Sequence, residues 1–329
     1  MRETLILTRR DVADLLPIRD CIEVLEEAFR ARAAGRTLPS AVLGVHLPEG
    51  GLHVKAAGLH RGRLYVAAKL NANIPSNPER RGLPTIQGVI ALFDGEDGRP
   101  LALMDSIEVT ALRTGAATAV AARYMARPAA AVLAICGCGA QAAYQVRALA
   151  AARPIRKVLA YDRDPGRAER LCGSLSADPA LSISVVRDLP PALREAELIV
   201  TCTPSKRPLV APEHVSPGSF VAGVGADHAE KQELDPLLLA RSRVVVDSLE
   251  QAAAIGDLHH ALRVGALRRE DVAGELWELA GGLKPGRVSD DEITVFDSTG
   301  VAIEDVAAAA LVYERALAAG RGQRLALAD

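Results

Sequence analysis

Apolar residues recur every three to four positions from Ile18 through Cys21, Ile22, Leu25, Ala28 and Phe29, which predicts an amphipathic helix closed by Gly35. Ahead of it, Thr8 and Asp11 have the spacing of a capping box, and Pro17 lies just inside the second helix start. The period then changes. Short runs at 42–47, 52–57, 64–72, 89–93 and 101–104 read as strands, separated by turns such as Glu49-Gly50-Gly51 and Asp94-Gly95-Glu96-Asp97-Gly98. Turn-linked strands behind two helices predict a mostly antiparallel sheet.

A second pattern begins near Val109. An alanine-rich helix over 109–126 ends at Pro128. Strands at 131–136, 158–161, 198–201, 220–224 and 244–246 follow, with helices opening at Ala140 and Pro165. This alternation means crossover units and a doubly wound parallel sheet. A strand at 293–296 and a helix over 303–319 come last, and a strand from this end would return the backbone to the first domain. The expected fold is therefore α/β: a Rossmann domain over 115–299, and a discontinuous, mostly antiparallel domain over 1–114 completed by 300–329.

Composition narrows the function. The 329 residues are 49% hydrophobic and 24% charged, enough for two cored domains. A net charge of -2 argues against a polyanionic partner such as nucleic acid and against a membrane surface. No apolar run approaches the ~20 residues of a membrane span, and residues 1–10 carry no secretory pattern. Five irregularly spaced cysteines (Cys21, Cys136, Cys138, Cys172 and Cys202) fit a reduced, cytoplasmic protein. Cys136 and Cys138 lie in one tight turn and the adjacent His259 and His260 point to different helix faces, so no metal site is expected.

The segment Gly137-Cys138-Gly139-Ala140-Gln141-Ala142 follows an apolar strand and opens a helix. Gly137 permits a tight turn, Gly139 lets backbone approach a pyrophosphate, and Ala142 keeps the helix close to the strand. The next strand ends in Asp162, where an acidic residue accepts hydrogen bonds from the ribose hydroxyls and repels a 2′-phosphate. NAD is therefore expected ahead of NADP, although the neighbouring Arg163 is a residue that can accommodate that phosphate.

Three cations lie among apolar or small residues: Lys55 in His53-Val54-Lys55-Ala56-Ala57-Gly58, Lys69 in Ala67-Ala68-Lys69-Leu70-Asn71, and Arg113 in Thr110-Ala111-Leu112-Arg113-Thr114-Gly115. Such cations either snorkel to solvent or meet an anion. Asp227, in Gly223-Val224-Gly225-Ala226-Asp227, lies just past a strand's carboxyl end, where open parallel sheets bind ligands.

In this order the segments resemble the ornithine cyclodeaminase/mu-crystallin family over essentially the whole chain. The resemblance is carried by Ala68-Lys69-Leu70-Asn71 with Pro75 and Asn77, by Leu112-Arg113-Thr114-Gly115-Ala116-Ala117, by Gly225-Ala226-Asp227 with Lys231-Gln232-Glu233-Leu234, and by Ile293 to Gly300 leading into Ile303-Glu304-Asp305. It implies a homodimer paired through the sheets of its substrate-binding domains, each subunit holding a nicotinamide cofactor. It also implies that Lys69 and Arg113 hold a substrate α-carboxylate and that Asp227 is the acid/base, with Lys69 beside the chemistry; His228, which follows Asp227, is a further candidate to touch substrate. Ser298 to Gly300 would contact the nicotinamide and Thr114 the phosphates, with further cofactor contacts at Thr85, Ala140, Gln141 and Thr203.

One departure from the cyclodeaminase pattern matters. Where cyclodeaminases carry an arginine and then a Met-Pro pair, this chain reads Pro39-Ser40-Ala41-Val42 and then Lys55-Ala56, and similar lysines occur in imine-reducing relatives. The leading expectation is an NAD-dependent amino-acid dehydrogenase or imine reductase acting on a small α-amino acid. Two alternatives are a cyclodeaminase that makes proline and ammonia from ornithine, and a mu-crystallin-like nucleotide-loaded binding protein.

Overall fold

The computed structural model describes residues 3–176 and 179–327. The chain divides into two units, one of Met1–Arg113 with Val301–Asp329 and one of Thr114–Gly300. Among the described residues no helix is long and apolar enough to cross a membrane.

The first unit is built on a mixed sheet of β1 (Glu3–Leu7), β2 (Thr37–Leu47), β3 (Gly50–Arg61), β4 (Arg63–Asn73), β5 (Ile86–Asp94), β6 (Pro100–Asp105) and β17 (Gln323–Ala326). Its order is β17-β1-β6-β5-β4-β3-β2, antiparallel throughout except that β1 runs parallel to β6. The capping box at Thr8 and Asp11 forms as the spacing predicts, and the helix Ile18–Ala33 follows with Pro17 as its N-cap, one position earlier than expected.

Alternation decides which face of the sheet is covered. In β4, Tyr65, Ala67, Lys69 and Asn71 are buried, and the residues between them are only half buried. The cross-strand partners Ala57–Ala67 and Leu59–Tyr65 continue the covered face onto β3. The helix Ala302–Ala319 packs over it, and every residue from Ala302 to Val312 is buried. The other face, including Val54, Ala56, Ala68, Leu70, Val89 and Leu103, stays partly open.

The second unit is a parallel sheet of β7 (Val132–Cys136), β8 (Lys157–Tyr161), β9 (Ser182–Val185), β10 (Leu198–Thr201), β12 (Phe220–Gly223), β14 (Arg243–Val246), β15 (Gly274–Glu275) and β16 (Thr294–Asp297). The order is β15-β14-β16-β12-β10-β7-β8-β9, so the winding reverses at β7. Two short strands, β11 (Lys206–Val210) and β13 (Gln232–Leu234), pair beside it. The central strands β10 and β12 are buried at every residue, which is why they read as continuous apolar runs.

The strand near 293–296 lies in this parallel sheet, between β12 and β14, within the span expected for it, and the helix Ala302–Ala319 and the strand β17 return the chain to the first unit. One expectation changes. The alanine-rich helix runs Ser106–Met125, three residues earlier than its apolar period suggests, because the Asp105 carboxylate accepts a hydrogen bond from the Glu108 backbone N–H at 2.9 Å and caps its start.

Candidate active site

In the first unit, β3 and β4 set Lys55 directly opposite Lys69, so both side chains lie on the face beneath the helix Ala302–Ala319. Lys69 is 4% exposed and Arg113 6% exposed. Both cations meet acids from the first turn of that helix. Lys69 Nζ lies 2.7 Å from Asp305 Oδ2, Arg113 NH1 donates to Glu304 Oε2 at 2.7 Å, and Arg113 Nε lies 3.2 Å from Asp305 Oδ1. The anion that the buried cations require is therefore supplied first by the chain itself.

The cluster is still biased toward positive charge. Burial, and then the neighbouring Arg113 guanidinium, pull the Lys69 ammonium down to about 8 against the opposing pull of Asp305. Burial would raise the Asp305 carboxyl, but Lys69 and Arg113 outweigh it and hold the group below its ordinary value. Lys55 acts on both residues in the same sense as Arg113.

In the second unit, Gly137 has φ +92°, which only glycine adopts without strain, and a Cβ there would sit 2.6 Å from Thr203 Cγ2. Gly139 and Ala140 are exposed ahead of the helix Ala142–Ala152, with open space over Gly139, and Gln141 is that helix's N-cap. The Asp162 carboxylate reaches back into the turn, accepting from the Cys138 N–H at 2.8 Å and the Asp164 N–H at 2.9 Å. Beside it, a cleft of about 420 Å³ is lined by Cys138, Gly139, Ala140, Ala143, Arg167, Arg170, Leu171 and Ser174. A positive-φ glycine, an open helix start and a carboxylate at the end of β8 fit a dinucleotide, the carboxylate keeping acceptor capacity for ribose hydroxyls. Arg163 is exposed.

The remaining site residues singled out by sequence lie on loops, except Thr114, which is in the helix Ser106–Met125. Asp227 is exposed and accepts from Lys231 Nζ at 2.6 Å, and its neighbour His228 accepts the Glu230 N–H at 3.4 Å. Thr203 gives both its N–H and its hydroxyl to Glu233 at 2.6 Å. Ser298 is buried, and the Thr299 and Gly300 N–H groups donate to Asp247 at 2.7 and 2.5 Å. The Thr114 carbonyl accepts from the Thr118 hydroxyl, and in the first unit the Thr85 carbonyl accepts the Ile74 N–H. His259 and His260 form an edge-on ring pair, with His260 bonded to the Lys231 carbonyl, and no group of metal-ligating side chains occurs among the described residues.

The ornithine cyclodeaminase/mu-crystallin family matches residues 2–320. The chain belongs to this family. An archaeal alanine dehydrogenase, solved as a dimer with bound NAD, superposes with a TM-score of 0.94 at 39% identity, covering 99% of this chain and 100% of that one. The Δ(1)-pyrroline-2-carboxylate reductase of Thermococcus litoralis, solved with NADH and L-proline, gives 0.93 at 32% identity over 98% of this chain and 100% of the other. The iminosuccinate reductase of Paracoccus denitrificans is 34% identical over 98% of this chain and 99% of its own length.

Within this family fold, several buried acids had no role assigned from the residue pattern. Glu304 and Asp305 sit between Ile303 and Val306 in a helix apolar on almost every side, and that setting was the available signal. Glu233 accepts four hydrogen bonds, from Thr201 Oγ1, the Thr203 N–H and hydroxyl, and the Gly225 N–H. It thereby ties together the chain leaving β10 and the chain leaving β12. Asp257 in turn accepts the Glu233 and Leu234 N–H groups at 2.8 and 2.9 Å, and Asp297 accepts the Leu258 N–H at 2.8 Å. Burial, and then the neighbouring acids, push Asp257 far up, and burial brings Asp297 to about 7.

Proposed function

We propose that this chain is an NAD-dependent oxidoreductase that interconverts a small α-amino acid and its imino or oxo acid. One observation carries the reading: Lys69 and Arg113 are buried side by side, close enough for Arg113 to depress the lysine's pKa. Purely structural ion pairs have no need of two adjacent cations, whereas a substrate carboxylate is bound by them. The family relatives described above, with NAD, NADH and L-proline among their ligands, support the same chemistry.

In this reading Lys69 and Arg113 fix the α-carboxylate and so orient the α-carbon. Asp227 holds or releases the proton that the amine nitrogen or an attacking water exchanges, while the Lys231 ammonium donates to its Oδ1 at 2.6 Å. The turn at Gly137 to Gln141, with Asp162, Thr203, Thr114, Thr85 and the segment Ser298–Gly300, would hold the dinucleotide, whose nicotinamide supplies or accepts the hydride. Asp162 favours NAD over NADP. The partly open apolar face of the mixed sheet supports a homodimer, since Val54, Ala56, Ala68, Leu70, Val89 and Leu103 gain cover only from another surface.

The test is nicotinamide absorbance in a panel of amino acids, and of oxo acids with ammonia or amines, using NADH and NADPH in parallel. Net cofactor oxidation with a small oxo acid and ammonia, faster with NADH, is the expected result. Conversion of ornithine to proline without net change in cofactor would instead make the chain a cyclodeaminase. Asp227→Asn should lower turnover by roughly 10²–10⁴, the usual loss when an acid/base is removed. Turnover kept across pH in that variant would move the proton to another group, with His228 the first candidate.

A further inference from the structure

Asn71 follows Lys69 by two residues on the covered face of β4, about 7 Å along the strand, and is 9% exposed. Its Oδ1 accepts a hydrogen bond from the fully buried Ser106 hydroxyl at 2.6 Å. Ser106 opens the helix Ser106–Met125, and Arg113 lies nearly two turns further on, along the same side of that helix. The Asn71 carboxamide lies across Gly88, its partner on β5, where a Cβ would run into Asn71 Oδ1 and sit 2.8 Å from Ser106 Oγ. Ser106 thus takes the oxygen end of the amide and Gly88 makes room for it, which leaves one direction for the nitrogen end. Nδ2 meets no acceptor among the described residues, yet it is not sealed inside the protein.

We propose that Asn71 is a third residue of the carboxylate site, its Nδ2 donating to the substrate carboxylate that Lys69 and Arg113 hold, with Ser106 as the residue that positions it. The proposal rests on the reading that those two cations hold the substrate. A half-satisfied amide is a poor structural choice, because a donor left without an acceptor costs more than an apolar side chain of the same shape. That loss is recovered when a ligand brings an acceptor. A carboxylate offers about four acceptor positions, more than a lysine ammonium and one edge of a guanidinium fill. Lys69 and Arg113 are already matched to Glu304 and Asp305, so a further donor serves best if it is neutral. Asn71 adds a hydrogen bond and a direction without adding to the repulsion between the two cations. Because it grips the head group common to α-amino acids, Asn71 acts alike on every acid this chain accepts and reads no side chain.

Calorimetric titration of propionate into the full chain loaded with NAD⁺ reads the head-group site without turnover. Asn71→Asp is isosteric and still accepts from Ser106, but it offers the ligand an oxygen in place of an N–H. It should weaken propionate at least tenfold near neutral pH. Asn71→Ala removes the donor without adding charge and should weaken propionate at least threefold. Ser106→Ala lets the amide turn and should cost severalfold. NADH affinity in a fluorescence titration should stay near wild type in all three variants, a pattern that a general loss of packing does not give. In steady state, KM for pyruvate with ammonia should rise in Asn71→Asp by the same factor as the propionate affinity falls, with kcat within about threefold. Unchanged propionate affinity in Asn71→Asp, full affinity in a folded Asn71→Ala variant, or no propionate binding by the wild type would overturn the proposal. Two outcomes separate it from the reading beneath it. NADH oxidation by the wild type, with the same KM in Asn71→Asp, removes Asn71 from the site and leaves the oxidoreductase reading intact. No oxidation with any oxo acid and ammonia, alongside propionate binding that Asn71→Asp loses, removes the oxidoreductase reading and keeps Asn71.

Discussion

Lys69 must be charged to hold a carboxylate, yet its surroundings make charge expensive. With a pKa near 8, it loses its proton within an accessible range. KM for the acid substrate should therefore climb above about pH 8, while Lys69→Arg, whose guanidinium stays protonated, should flatten the rise. A flat KM profile between about pH 7 and 9 in the wild type would take Lys69 out of the site. Unfolding does not imitate this limb. Burial raises the thiols of Cys21, Cys136, Cys138, Cys172 and Cys202 above their ordinary 9.0, so they stay protonated in the folded chain while unfolded thiols ionise. Their stabilisation is complete below about 9 and is lost only as pH rises beyond it. Arg113 makes a second case at this scale. Its fork already meets two carboxylates in fixed directions, so Arg113→Lys should cost well over tenfold in kcat/KM and leave NADH affinity near wild type. Unchanged efficiency would show that charge alone is needed there. These cations were legible in the sequence because small and apolar neighbours make a lone charge conspicuous. Their counter-ions were not, because nothing in the spacing says that residues 304 and 305 fold back onto residues 69 and 113.

Among elements, buried acids tie together the carboxyl ends of the parallel strands. Glu233 accepts from donors on both sides of its carboxylate, and a glutamine can offer an oxygen to only one side. Glu233→Gln should orphan two donors, at about 1–3 kcal/mol each in urea unfolding. It should also weaken NADH binding severalfold in a fluorescence titration, since Thr203 loses its anchor. NADH affinity equal to wild type would mean that this staple serves the fold alone. Periodicity found the long strands and the amphipathic helix, where burial on one face writes itself into every second or every third to fourth residue. It did not find β1 and β17, of five and four residues, which are too short to carry a period and which pair only with each other and with β6.

At the scale of the whole molecule, the open face of the mixed sheet predicts its own partner. Light scattering should give twice the chain mass of 34.6 kDa, and Leu70→Glu, on that face, should return the mass to that of one chain. A wild-type monomer, or a Leu70→Glu dimer, would put the contact elsewhere. The order of the chain carries one more consequence. Residues 114–300 form one uninterrupted unit, whereas the first unit waits for Val301 and beyond. During synthesis the parallel sheet can be complete while Lys69 and Arg113 still lack Glu304 and Asp305, so a nascent chain holds its cations without the residues that tame them. The helix Ala302–Ala319 is what brings acids to the cluster, so this pocket cannot exist until a ribosome has passed residue 305.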